Sequence, residues 1–393
     1  RMLDGYLYGN EFVVTVLAFV AALVFGAFLI AIADPPTRKA AGYFFQQPSD
    51  TFSRAWEAIS AGYSALFRGS VVNMDSLLYT NGGVPIFGPI ANTLLNAAPL
   101  ILGGLAVTVA FRAGLFNIGV QGQLVMGAIA AGYVGFAWSM PPFIHLVVAM
   151  IAGIAGGALW GGLVGLLKAK TGAHEVITTI MLNYVAVYLL VYLLTVNGFQ
   201  EPGSNEAISR TVKSTARLPI LFESLHFGII IALAAAVGCW WLLSRSTLGF
   251  TLRAVGANPF AARTAGMDVE RSYLRVMLIS GALSGLVGCS QILGTNDQLR
   301  GDIDAGFGFD AITVALLGRG TPLGTVLAGI LFGAFRAGSV VMGSQTTTPP
   351  DVVFVIAPVA VLFIAAPALV RGMFRLRESR GGGIAQLARG WNG

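Results

Sequence analysis

The chain has 393 residues, 55% of them hydrophobic and only 11% charged. A soluble domain carries roughly 25% charged residues, so the composition excludes an ordinary water-soluble globule and points to a polytopic helical membrane protein. The formal charge of +6 excludes nothing about the membrane and is no nucleic-acid footprint, because the basic residues sit in short loops between apolar runs.

The first predicted span runs from about Phe12 to Ala33 and is stopped by Asp34-Pro35-Pro36. It is too long for a signal-peptide core and reads as a retained span; the chain begins at Arg1 rather than Met, which leaves room for residues upstream. In the polar segment that follows, to about Gly83, Phe52, Trp56, Ile59, Tyr63 and Phe67 recur at helical spacing. They predict a helix lying on the membrane surface or on other spans, with Ser49-Asp50 as its cap. Span two covers about Val84 to Phe111, and span three continues to about Trp138. Span four, about Phe143 to Leu167, carries Gly153, Gly157, Gly161 and Gly165, a close-packing face of small residues. Span five is about Val176 to Val196 and span six about Phe227 to Leu243.

A polar loop from Ser244 to Arg275 follows, in which Asn258-Pro259 predicts a helix start, since proline suits a first helical turn. Span seven is about Val276 to Leu293; Phe309 to Leu317 is apolar but short; spans nine and ten are about Leu323 to Met342 and Val352 to Val370. Counting the short piece there are ten membrane segments. The basic loops at 168–170, 245–275, 319 and 371–380 fall on one side if both termini are cytoplasmic. The expected organisation is a first helix with an external amphipathic segment (1–83), a transmembrane domain (84–371) and a basic cytoplasmic tail (372–393).

One stretch stands apart. Phe111 to Gly132 is mostly apolar, yet glycines and the amides Asn117, Gln121 and Gln123 interrupt it. An amide without a partner in hydrocarbon costs several kcal/mol, so such groups face either protein or a watery cavity. Two readings stand on the residues alone: the stretch lines a solute pathway, or it is a glycine-rich helix whose amides bond to neighbouring helices. Gly114-Leu-Phe116-Asn117 before this span and Gly308-Phe309-Asp310 before a later one hint at paired broken segments, a pointer to a binding site near the membrane midplane.

Covalent chemistry finds little support. There is no GxxxxGK[ST] loop and no HExxH; His145, His174 and His226 are scattered, and Cys239 and Cys289 lie in apolar runs with no metal-ligand spacing. No enzyme activity, metal or resident cofactor is expected of the chain. The span interiors are nearly free of carboxylates, the groups that a proton- or sodium-coupled carrier commonly uses, so the energy for transport is expected from another subunit. Arg336 is the exception among charges.

The strings GLFNIGVQGQLVMGA, HEVITTIMLNYVAVYLL and LGFTLRAVGANPFAARTAGM resemble the permease subunits of bacterial ABC importers, the class serving ribose, branched-chain amino acids and nucleosides. The segment GFGFDAITVALLGRGTPLGTVLAGILFGAFRAG is similar to the nucleoside branch, which uses a lipoprotein binding protein. The resemblance covers about residues 84–370. It departs at Val120-Gln121, where the family usually has Ala-Glu, and at His174, where it has Asn.

The resemblance implies an all-α bundle of about ten segments in two inverted halves, in the bacterial inner membrane. It implies a second homologous permease, giving a heterodimer, two ATPase subunits that hold ATP and magnesium, and an external substrate-binding lipoprotein. Arg253, Gly256, Asn258 and Ala261 would then couple the chain to the ATPase. The expected pathway residues are Phe116, Asn117, Gln121, Asn183, Phe309 and Asp310, aromatic rings stacking on a base and polar groups bonding its edge or the sugar hydroxyls. The rival readings are a permease for a monosaccharide or branched-chain amino acid, and a stand-alone carrier or channel.

Overall fold

The computed structural model describes residues 11–73, 87–349 and 351–374. The chain divides into two compact units, one of Ile90–Ala334 and one drawn from the residues before and after it. The predicted limits near 83 and the basic tail beyond 374 lie outside the described residues.

In the flanking unit, α1 (Glu11–Ala33) ends at Asp34, which caps α2 (Pro35–Ala41) by accepting from the Thr37 N–H at 2.9 Å. The longer α3 (Pro48–Ser70) is the predicted amphipathic helix, but it packs through a different face. Its buried residues are Gly62, Ala65, Gly69 and Ser70, while Phe52, Trp56 and Phe67 stay exposed. The reason is steric: small residues let the helix backbone approach Ile30 of α1 and Val341. Of the aromatic stripe, Tyr63 turns inward and donates to the Leu23 carbonyl at 2.5 Å. The predicted cap is also displaced. Pro48 opens the helix after Gln47, which makes no capping bond, and Asp50 instead accepts from the Tyr43 hydroxyl.

The central unit holds the rest of α4 (Gly88–Arg112), then α5 (Val120–Ala137), α6 (Pro142–Thr171) and α7 (Glu175–Leu193). A hairpin of β1 (Ile220–Phe222) and β2 (Leu225–His226) leads into α8 (Gly228–Arg245). Next come α9 (Thr247–Ala257), α10 (Pro259–Thr264), α11 (Val269–Ser290) and α12 (Phe307–Leu317). The first half of α13 (Pro322–Gln345) closes this unit. Its remainder, with α14 (Asp351–Ala365) and α15 (Pro367–Met373), belongs to the flanking unit, where Phe363 and Val370 bury Ala18, Ala21 and Ala22 of α1.

Among the described residues, eight helices are long and apolar enough to cross a membrane: α1, α4, α5, α6, α7, α8, α11 and α13. The other two segments expected from sequence appear as α12, of 11 residues, and α14, of 15 residues. The chain is an all-α, multi-pass membrane protein.

The glycine face of α6 is spent on α11. A Cβ at Gly157 would come within 2.6 Å of the Gly285 Cα, and one at Gly161 within 3.0 Å of the Gly281 Cα. Such backbone-to-backbone contact takes the place of the apolar driving force that lipid cannot supply. Helix ends follow local chemistry. Gly172, at φ +70°, terminates α6; Ser246, Asn258 and Asp268 cap α9, α10 and α11 through their side-chain oxygens.

Candidate functional site

Two helices begin in the middle of the central unit. Gly103 precedes the end of α4 by two and a half turns, roughly 13 Å at 1.5 Å per residue. A Cβ there would lie 2.8 Å from the Ala311 Cβ of α12 and 3.5 Å from Val120, the first residue of α5. The starts of α5 and α12 are therefore level with the interior of α4, and residues 113–119 carry the chain back from its end without helical structure.

That return is held by side chains. Asn117 is fully buried, and its amide is saturated. It donates to Gln123 Oε1 at 3.0 Å and Ser280 Oγ at 2.7 Å, and accepts from the Gly119 N–H at 2.8 Å and Gln123 Nε2 at 3.2 Å. Ser284 adds a bond to Gln123 at 3.0 Å, and Ser280 donates to the Ala106 carbonyl of α4 at 2.7 Å. Asn183 of α7 accepts from the Gly122 N–H at 2.8 Å and donates to the Ile118 carbonyl at 3.0 Å. A helix start leaves its first N–H groups without partners; here an asparagine on another helix supplies one.

Gln121 faces elsewhere. Half-buried, it donates to Asp304 Oδ2 at 3.3 Å, and its backbone lies against Gly308, where a Cβ would come within 2.6 Å of the Gln121 Cα. Phe309, 53% exposed, and the half-buried Asp310 follow in the first turn of α12. Phe116 packs on Phe111 with ring centroids 4.7 Å apart. The structure thus joins Asn117 and Asn183 around the start of α5, and Gln121 with the first turn of α12. Gln123, Ser280, Ser284 and Asp304 were not among the expected site residues. The amide of Gln123 and the serine pair at i and i+4 on one helix face were the signals in the sequence for that network, and nothing in the sequence tied Asp304 to it.

The predicted coupling residues occupy the other end of α4. Arg253 donates to the Leu243 carbonyl at the end of α8. Gly256 abuts the end of α4: a Cβ there would lie 2.8 Å from the Ala113 carbonyl carbon and the Gly114 nitrogen. Gly114 has φ +73° and meets the Gly256 Cα in return. Arg112 donates to the Gly320 carbonyl at 2.7 Å, tying the α12–α13 loop to the same junction. Beyond it, Asn258 Oδ1 accepts from the Phe260 and Ala261 N–H groups at 2.9 and 3.0 Å, and α10 presents Phe260 at 82% exposure beside exposed Ala261.

Residues 89–366 match the family model for the permease component of branched-chain amino acid transport systems. The chain belongs to this family. A guanosine ABC transporter permease of Bacillus subtilis strain 168 is 40% identical to it over 332 residues, 82% of this chain and 90% of that protein. A glucose ABC transporter permease of Haloferax volcanii is 34% identical over 78% of this chain and 84% of its own length. A nucleoside ABC transporter permease of Lactococcus lactis subsp. cremoris is 32% identical over 72% and 81%. No solved structure matches the chain. The permease match spans α4 to α14 and so includes every residue described at the two ends of the α4–α5 connection. Within it His174, the position where the resemblance expects asparagine, precedes α7 without a side-chain capping bond.

Proposed function

We infer that this permease forms the translocation pathway of an ATP-driven nucleoside importer. The observation that carries the solute class is the 40% identity to the guanosine permease across nearly all of that protein. The geometry agrees with it chemically. Gln121 and Phe309 sit where two interrupted helices meet, offering an amide for a base edge or sugar hydroxyl and a ring for stacking. Asp310 follows Phe309 in the same turn, whereas Phe116 packs on Phe111 near the end of α4, away from that point. Asn117, saturated by protein, and Asn183, bonded to the Gly122 N–H and the Ile118 carbonyl, hold the start of α5 in place instead of touching solute. The second reading, a monosaccharide, is supported by the glucose permease relative.

Partners follow from the family. A second homologous permease completes the pathway, ATPase subunits dock at the loop bearing α10, and a lipoprotein delivers solute on the opposite face. In this arrangement both termini are cytoplasmic. Phe260 and Ala261 are the docking surface, Asn258 shapes it, and Gly256 and Arg253 fasten it to the membrane helices. The test is uptake of labelled guanosine by vesicles holding the assembled complex. Uptake should need ATP and resist competition by excess glucose. Transport surviving loss of the ATPase would refute the importer, and competition by glucose would favour the second reading.

A further inference from the structure

Asp304 has no counterpart in the roles assigned so far. It is 8% exposed and sits in the connection entering α12. Its Oδ2 accepts from the Gly306 N–H at 3.1 Å and from Gln121 Nε2 at 3.3 Å; its Oδ1 accepts from the Gly308 N–H at 3.1 Å. One carboxylate therefore serves the first turn of α12 and a side chain of α5 together. The backbone between this carboxylate and its N–H donors is strained. Ala305 has φ +46° and Gly306 has φ +78°, a conformation that costs an alanine and not a glycine. Strained residues persist where their surroundings over-determine them, and they gather at switch regions and ligand clamps. Here the strained turn is held from both sides by Asp304.

We propose that Asp304 is a positioning residue for transport: it latches the strained start of α12 to Gln121 on α5, and the latch opens and re-forms in each transport cycle. This rests on the pathway reading above. It explains why glutamine suits position 121, since a glutamate there would set a second carboxylate against Asp304 at hydrogen-bond distance. Opening the latch releases the Ala305 turn, which gives the open state a compensating gain that a relaxed turn would lack. The separation of the two helix starts is then controlled at one side-chain pair, next to Phe309.

The experiment uses the full permease assembled with its ATPase subunits in vesicles, measuring ATP hydrolysis without solute, guanosine uptake, and thermal unfolding of the complex. Gln121→Glu should raise solute-free hydrolysis at least threefold and lower uptake per ATP at least tenfold, in a complex that still unfolds in one cooperative transition. Adding Asp304→Asn turns the bond to residue 121 around but sets an amide nitrogen against the Gly306 N–H that Oδ2 now accepts, so it should restore both rates in part, each moved at least threefold back from the single variant. Ala305→Gly removes the strain with the latch intact and should lower uptake per ATP without touching solute contacts. A Gln121→Glu complex hydrolysing and transporting as wild type does would overturn the latch, as would a double variant no better than the single one. If Gln121→Glu fails to fold, the Ala305→Gly result decides, and wild-type coupling there overturns the proposal. Hydrolysis without solute needs no nucleoside. A wild-type complex that hydrolyses ATP but ignores guanosine would therefore count against the solute assignment and leave the latch to be judged on the variants' solute-free hydrolysis.

Discussion

Gly256→Ala tests the link between the α10 loop and the pathway. The added methyl would stand 2.8 Å from the Ala113 carbonyl carbon and the Gly114 nitrogen, and closer still to the Arg112 carbonyl oxygen. Carbon contacts settle near 3.5–4.0 Å, so the two backbones must separate by about 1 Å. All three neighbours are main-chain atoms and cannot rotate away. Overpacking of this kind costs about 1–3 kcal/mol, while alanine returns at most about 1 kcal/mol, the helix-interior value, at Gly256 in the last turn of α9. The net cost of about 0–3 kcal/mol leaves the protein folded. What changes is the position of Arg112–Gly114, and through it the return to Asn117. We expect the complex with the ATPase to assemble and hydrolyse ATP, with uptake per ATP reduced at least about fivefold, the equivalent of ~1 kcal/mol. Gly238→Ala is the control, because nothing lies within 4 Å of its added carbon. Wild-type uptake per ATP in Gly256→Ala vesicles would show that the glycine contact transmits nothing.

Three further predictions concern other parts of the chain. Asn183→Ala strips the Gly122 N–H and the Ile118 carbonyl of their partner; at about 1–3 kcal/mol for each unsatisfied buried group, the purified permease should unfold at a clearly lower temperature, and an unchanged one would mean that another group replaces the amide. Phe260→Asp alters a side chain that is 82% exposed, so the permease should keep its stability yet lose affinity for the ATPase subunits in a pull-down; full affinity would move the docking surface elsewhere. Burial pushes the pKa of His226, just before α8, down to about 4, and its Nδ1 accepts from the Gly228 N–H at 3.0 Å. The ring is neutral in the fold, so its contribution is present above the ordinary pKa of about 6.5 and is lost as pH falls from there toward 4, by up to about 3 kcal/mol. His226→Gln should flatten the stability profile of the purified permease across that window; an unaltered slope would assign it to other groups.

Much of this architecture can be read from the chain because membrane solvent imposes blunt rules. Long apolar runs became helices at the expected places, Asn258-Pro259 opened α10, and the glycines of α6 met another helix. The finer assignments needed coordinates. Asn117, Gln121 and Gln123 are equivalent in a hydropathy plot, but only their neighbours decide that two are saturated inside protein while the third reaches Asp304. Arg253 looks like a surface charge in a basic loop, yet its guanidinium ends on a backbone carbonyl. In α3 the aromatic stripe showed a helix, but not the face by which it packs within the chain, because close packing selects for the smallest side chains and hydropathy scales barely register them. The weak repeat falls at Gly114–Asn117 in the return before α5 but at Gly308–Asp310 inside the first turn of α12, and the common level of the two helix starts shows only in the contacts of Gly103, which no periodicity encodes.

The seam between α6 and α11 constrains whatever movement accompanies uptake. Its glycines meet main chain to main chain over several turns, Gly157 and Gly161 of α6 against Gly285 and Gly281 of α11, so the two helices have no side-chain layer between them to rearrange. These two helices must travel as a single beam. Any rocking of the permease therefore pivots on what rests against the beam, and the short α12, spanning only part of the depth, is the piece with the least to drag along.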